Sequence, residues 1–214
     1  MTWLITSTGR RVDLRLADPA ALSIDDVAHH LAQLNRFTGA CRRPYSVAEH
    51  SIHVVAVMRD EMGIDSPHAL LAGLLHDAHE AYIGDLSTPL KDALDADDPD
   101  RAWRAWRRLE SRVRAQVQRR FGVRAASVGY RRAIRAADLR MLATERRCLM
   151  PPGGPDWPAL HGIAPSAEIW LADYDDASFD WRDWRAMFLQ HYAGLRDACR
   201  AHPTPATGDD DDAL

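Results

Sequence analysis

Ser66-Pro67-His68-Ala69-Leu70-Leu71-Ala72-Gly73-Leu74-Leu75-His76-Asp77-Ala78-His79-Glu80 is the stretch on which the fold turns. Ser66 is a residue type that caps helix N-termini, and Pro67 suits the first helical position. Leu70, Leu71, Leu74 and Leu75 then cover most of a helix circumference. A helix that is apolar nearly all round belongs at the buried centre of a bundle. His76-Asp77 ends the apolar run, so an acid stands at the end of a buried rod. A buried Asp is costly without a cation, a strong donor or a metal beside it.

Outward from this helix the text stays helical. Upstream, Ser23 with Asp26 reads as a capping box, with Val27, Leu31 and Leu34 as the stripe behind it and Thr38-Gly39 as the stop. Ser46 with Glu49 repeats the pattern and predicts a helix to about Met62, closed by Gly63. Downstream, Thr88-Pro89 opens a short helix, and Asp95 to Pro99 reads as a polar loop. Trp103, Trp106, Leu109, Val113, Val117 and Phe121 mark a long amphipathic helix ended by Gly122. Ile134, Asp138, Met141, Leu142, Glu145 and Leu149 share one face of the next. Pro151 to Pro158 is a breaker-rich loop, and Trp181, Trp184, Phe188, Tyr192 and Leu195 give a last helix. Residues 1–16 alternate around Ser7-Thr8-Gly9, predicting a short β-hairpin with Trp3, Ile5, Val12 and Leu14 inward. The expectation is an all-α fold of about seven helices with a small N-terminal hairpin. Residues 1–22 form an N-terminal extension or hairpin, 23–202 one domain, and 203–214 a disordered acidic tail.

Composition narrows the function. The chain has 214 residues, 46% of them hydrophobic, which fills one core and excludes a disordered body. The net charge of −4 comes entirely from Asp209 to Asp212. A neutral body argues against wrapping long nucleic acid. Cys41, Cys148 and Cys199 are odd in number and form no CxxC, which argues against a disulfide framework or a cysteine zinc knuckle. The longest apolar stretches fall well short of the ~20 residues a membrane span requires. The start, Met-Thr-Trp-Leu, lacks a basic segment followed by an apolar one. A soluble cytoplasmic protein with no membrane partner is the expectation.

The candidate chemistry lies where the helical period expects apolar residues and finds polar ones. Asp138 sits on the stripe between Ile134 and Leu142. His50 sits in the first turn of its helix, after Glu49. A bare His-Asp pair carries no weight in a chain with 10 His and 25 Asp, but only six Glu are present, so His76-Asp77-x-x-Glu80 is a much rarer string. Two imidazoles and two carboxylates on separate helices can converge on one divalent ion, and two nitrogens with two oxygens suit Mn, Fe, Co, Ni or Zn.

The ordered pattern His50, His76-Asp77, Asp138 resembles the ligand set of the HD-domain metal-dependent phosphohydrolases. Finer strings resemble the bacterial 5′-deoxynucleotidase branch and its phage relatives, which include dATP triphosphohydrolases. They are Leu34-Asn35-Arg36-Phe37, Tyr45-Ser46-Val47-Ala48-Glu49-His50-Ser51, Leu74-Leu75-His76-Asp77-Ala78-His79-Glu80, Gly84-Asp85-Leu86-Ser87-Thr88-Pro89-Leu90-Lys91 and Ala137-Asp138. The resemblance spans about residues 23–150. It implies that His50, His76, Asp77 and Asp138 ligate one divalent metal. It implies that Glu80 handles the proton of the attacking water or of the leaving oxygen, and that Asp85 positions water or sugar at the site mouth. Arg36 would meet phosphate and Phe37 the sugar or base, where the deoxynucleotidases carry Trp.

Among 26 Arg, Lys91 is the single Lys, and it offers a point charge for phosphate. His79 is a candidate substrate contact or a donor behind the site. Glu145, two turns from Asp138, either supports the site or packs against an Arg. The function that follows is a phosphohydrolase of deoxynucleoside 5′-monophosphates, assembling as a homo-oligomer (dimer or larger). The alternatives are a deoxynucleoside triphosphate triphosphohydrolase and a non-catalytic nucleotide-sensing module.

Overall fold

A computed structural model describes residues 1–16, 18–97, 102–171 and 180–203. Beyond residue 203 the expected acidic tail lies outside the described residues. The architecture is all-α with one small hairpin, as the periodicity predicts. Helices α1 (Ile24–Gln33), α2 (Val47–Ala56) and α3 (Pro67–Leu74) are followed by a single turn, α4 (Glu80–Ile83). Then come α5 (Thr88–Asp97), α6 (Ala102–Phe121), α7 (Arg124–Gly129), α8 (Arg131–Leu149) and α9 (Trp181–Ala201). Two of these, α4 and α7, were not expected. α7 buries no residue, so its apolar pattern carries no signal.

The Leu-rich helix is central. α3 packs against α2, α7 and α9, and Leu71 and Leu74 are fully buried. Truncating either to Ala costs about 2–5 kcal/mol through lost burial and the cavity left behind. Ser66 caps it by accepting from the Ala69 N–H, with Pro67 at the first position. Gly73 faces Met58: a Cβ there would sit 2.5 Å from the Met58 sulfur. That close approach seats α3 against the π-helical turn Val57–Glu61, which extends α2. The extension stops at Met62, before Gly63 in left-handed backbone with φ +65°.

Four local readings are corrected. The hairpin pairs β1 (Trp3–Ile5) with β2 (Arg11–Asp13) antiparallel, with Leu4 opposite Val12. Cross-strand partners point to the same face, so Leu4 faces inward with Val12 and Leu14, as expected of the latter two, while Trp3 and Ile5 do not. Ile5 is exposed, and Arg11 lies over the Trp3 ring. Asp26 does not close a capping box with Ser23. It is buried and accepts from the Ser7 hydroxyl, the Thr8 N–H and the Thr8 hydroxyl, pinning the hairpin turn onto α1. Burial alone would raise the Asp26 carboxyl, but these donors hold it below its ordinary value. α1 also ends at Gln33 rather than Thr38, because Leu34 and Asn35 extend to meet Ser46 and Val47. Finally, α5 continues through Asp97, so Asp95 to Asp97 are helical, and the rest of the expected polar loop lies outside the described residues.

Candidate metal centre and cavity

Three elements bring the ligand candidates together. Ser46 accepts from the Glu49 N–H and starts α2 one turn before His50, which is completely buried. α3 ends at Leu74, and the turn that follows carries His76 and Asp77, with the His76 Nδ1–H donating to the Gly73 carbonyl at 2.8 Å. α8 presents Asp138 and, two turns later, Glu145. One ligand atom each of His50, His76 and Asp138 lies within 4.8 Å of the others. His50 Nε2 is 3.4 Å from Asp138 Oδ1, and Asp77 Oδ2 is 3.1 Å from His76 Nε2 and 4.0 Å from His50 Nε2.

The tautomers suit a metal. His50 Nδ1 faces Glu145 Oε1 at 2.5 Å, and His76 Nδ1 faces the Gly73 carbonyl, so both ring protons have acceptors. The two Nε2 atoms are buried and have no hydrogen-bond partner among the described residues. Two buried, unpartnered imidazole nitrogens beside two carboxylates are costly unless a cation shares the space. The donor set therefore fits a borderline divalent ion.

Glu145, left open by the sequence, serves both roles at once. Its Oε2 accepts from Arg36 Nε at 3.3 Å and Nη2 at 2.9 Å; its Oε1 accepts from the Tyr45 hydroxyl at 3.0 Å and from His50. Despite full burial, Arg36 and His50 hold its carboxyl down at about 2. Burial and Arg36 press the His50 imidazole downward, but Glu145 and Asp138 outweigh them and raise it to about 9. Asp138 is drawn down to about 2 against its own burial, by His50 and then His76. Glu49 does not return a capping-box bond. It takes a two-pronged ion pair from Arg43, at 2.6 and 3.0 Å.

The centre forms part of the wall of a cavity of about 990 Å³. Arg36, Phe37, His76, Asp77, Glu80, Asp85, Lys91 and Asp138 all line it. Glu80 opens α4 rather than continuing α3, and its Oε2 is buried with no partner among the described residues. Burial, then Asp77 and Asp85, push its carboxyl well above the ordinary range. Asp85 is raised too, by burial first and by Asp77 against the pull of Arg36. Lys91 Nζ lies 3.9 Å from Glu110 Oε1. His79 departs from the expected substrate contact. It is buried outside the cavity lining, with Nε2 3.4 Å from Glu110 Oε1 and 3.0 Å from Arg114 Nη2. The helical turn after Asp77 aims it at α6 instead.

The sequence reading missed Trp157. It lines the cavity beside Phe37, their ring centroids 5.8 Å apart. Its place in a Pro- and Gly-rich loop hid it, and an isolated Trp among breakers was the one available signal. Of the tryptophans that did draw notice on the last helix, Trp184 is buried in the core and Trp181 packs partly buried against it.

A partly buried cluster of His and Asp on a helical bundle, open to a charged cavity, could hold a divalent metal ion. Comparison with known proteins agrees: a family model described as HD domain matches residues 30–123. The chain is 31% identical over 172 residues to the uncharacterized protein YfdR of Escherichia coli, covering 79% of this chain and 84% of that protein. It is 39% identical over 140 residues to an uncharacterized protein of Rhodobacter capsulatus, covering 64% of this chain and 67% of that one. The chain belongs to the HD-domain family, and an HD domain implies a metal-dependent phosphohydrolase. No helix among the described residues is long and apolar enough to cross a membrane.

Proposed function

We propose that the protein hydrolyses the 5′ phosphate of deoxynucleoside monophosphates. The observation that carries this reading is the pair of buried, unpartnered Nε2 atoms of His50 and His76 facing Asp77 and Asp138 at the wall of a cavity lined by Arg36 and Lys91. His50, His76, Asp77 and Asp138 would hold one divalent ion, of the Mn, Co, Zn, Fe or Ni kind. Such an ion supplies Lewis acidity, lowering the pKa of water and drawing charge from a phosphate oxygen.

The chain's own residues do the rest. Arg36 commits Nε and Nη2 to Glu145 and makes no hydrogen bond through Nη1 among the described residues, leaving that group for a phosphate oxygen. Lys91 adds a mobile point charge. Glu80 carries the proton: its carboxyl takes one from the attacking water or gives one to the departing O5′. Asp85 orients water or the sugar. Phe37 packs against the nucleoside. One domain over residues 23–202, cytoplasmic residence in keeping with three free cysteines, and assembly into a dimer or larger belong to the same proposal.

Chromatography of the products from dAMP and dATP, with Mn- or Co-loaded protein, is the test. Deoxyadenosine and phosphate from dAMP support the reading. Tripolyphosphate from dATP with dAMP untouched replaces it with the triphosphohydrolase, for which a cavity of this size has room. No turnover of either from about pH 6 to about pH 9 would leave a sensing module.

A further inference from the structure

We propose that Trp157 is the surface on which the nucleobase of the substrate stacks, with Phe37 forming the adjoining wall. The proposal rests on the nucleotide reading above and adds to it a specificity residue from outside the stretch matched by the family model.

Four observations carry it. The wall of the cavity near the metal candidates is charged, whereas Phe37 and Trp157 give it two aromatic faces, both only half-buried. Their rings stand 5.8 Å apart and inclined by 38°, a tilted contact between two residues that both line the cavity. Guanidinium groups sit against both rings: Arg146 lies 5.5 Å from the Trp157 ring and Arg36 5.4 Å from the Phe37 ring. Arg36 is also bonded to Glu145, which holds His50, so the Phe37 side of the aromatic wall is tied to the metal candidates.

The fourth observation is the backbone of Phe37 and Thr38. Both have φ of +55°, a left-handed conformation that non-glycine residues adopt at a cost. The turn is held by Arg36 N–H to Tyr45 carbonyl and Ala40 N–H to Phe37 carbonyl bonds, at 2.9 and 3.0 Å. The strained turn delivers an aromatic side chain into the cavity, where a planar, apolar ligand group would find a matching surface. In a phosphate ester bound at the metal centre, that group is the base. Every base has a π face, so an indole shelf predicts tolerance among bases rather than selection of one.

Comparing dAMP with 2-deoxyribose 5-phosphate, which lacks the base, tests this on the metal-loaded full chain. Wild-type protein should show a KM for dAMP on the order of 10-fold below that for the abasic ester. In Trp157→Ala the two KM values should converge through a rise in that for dAMP, and Trp157→Phe should restore the gap. Trp157→Leu keeps apolar bulk without a π face and should behave as Trp157→Ala; it also serves if the Ala variant does not fold. Equilibrium dialysis with deoxyadenosine should show the same ranking. A wild-type protein that cleaves both esters with equal KM, or a Leu variant that keeps the gap, overturns the role of Trp157 and leaves the phosphohydrolase standing. A wild-type protein that cleaves neither ester overturns the monophosphate reading, and the stacking role with it.

Discussion

His50 and Glu145, 95 residues apart in the chain, meet at 2.5 Å in the core, and the contact fixes which imidazole nitrogen is left for a metal. Glu145 is saturated by Arg36, Tyr45 and His50, so one carboxylate ties the metal candidates to the phosphate-binding candidate. Replacing Glu145 by Gln should therefore weaken metal binding by about 10–100-fold without removing any ligand. Titration of metal-free protein with Co(II), followed by visible absorption, measures it.

The same carboxylate makes stability depend on pH. Its folded value of about 2 lies below the ordinary 4.5, so the unfolded chain takes up the proton first as pH falls. The stabilisation is fully present above 4.5 and is lost as pH falls toward 2. Melting temperatures of metal-free protein from about pH 6 to about pH 3 should drop steeply for wild type and less steeply for Glu145→Gln, which starts lower. Parallel curves would mean that the Glu145 contacts do not persist in solution.

Arg36 is nearly as buried as its partner, with side-chain exposures of 11% and 0% for Arg36 and Glu145. Arg36→Ala leaves an unpaired charge in the core and should cost about 3–5 kcal/mol in chemical denaturation. Arg36→Lys should recover part of that stability but little of the substrate KM, because an ammonium cannot serve Glu145 and a phosphate together.

Glu80→Gln should retain the metal and lose about 10²–10⁴-fold in kcat. Elemental analysis beside rate measurements separates this from a ligand loss. A Glu80→Gln protein with wild-type kcat would move the proton-carrying role elsewhere.

How much of this the sequence discloses depends on the range of each interaction. Ser66-Pro67, the Leu70–Leu75 face and the stop at Gly63 act within a turn or two of helix, and the pattern predicted each. The candidate ligands were legible because they stand where the helical period expects apolar residues. Asp26 misled, because its partners Ser7 and Thr8 lie in another element and outcompete the local cap. The inward side of the second strand was read correctly in Val12 and Leu14, but that of the first was not: alternation within one strand does not say which residues of the other face it, and the pairing of Leu4 with Val12 decides it. Arg36 and Glu145 are 109 residues apart, and only the docking of α8 on α2 brings them together. Trp157 left no periodic trace at all.

Metal stoichiometry tests the central assignment most directly. Isothermal titration of metal-free protein with Mn(II) should give one ion per chain, with binding abolished in His76→Ala and in Asp138→Ala while both variants keep their helical circular dichroism. Undiminished binding in those variants, or no binding by the wild-type chain, would contradict it.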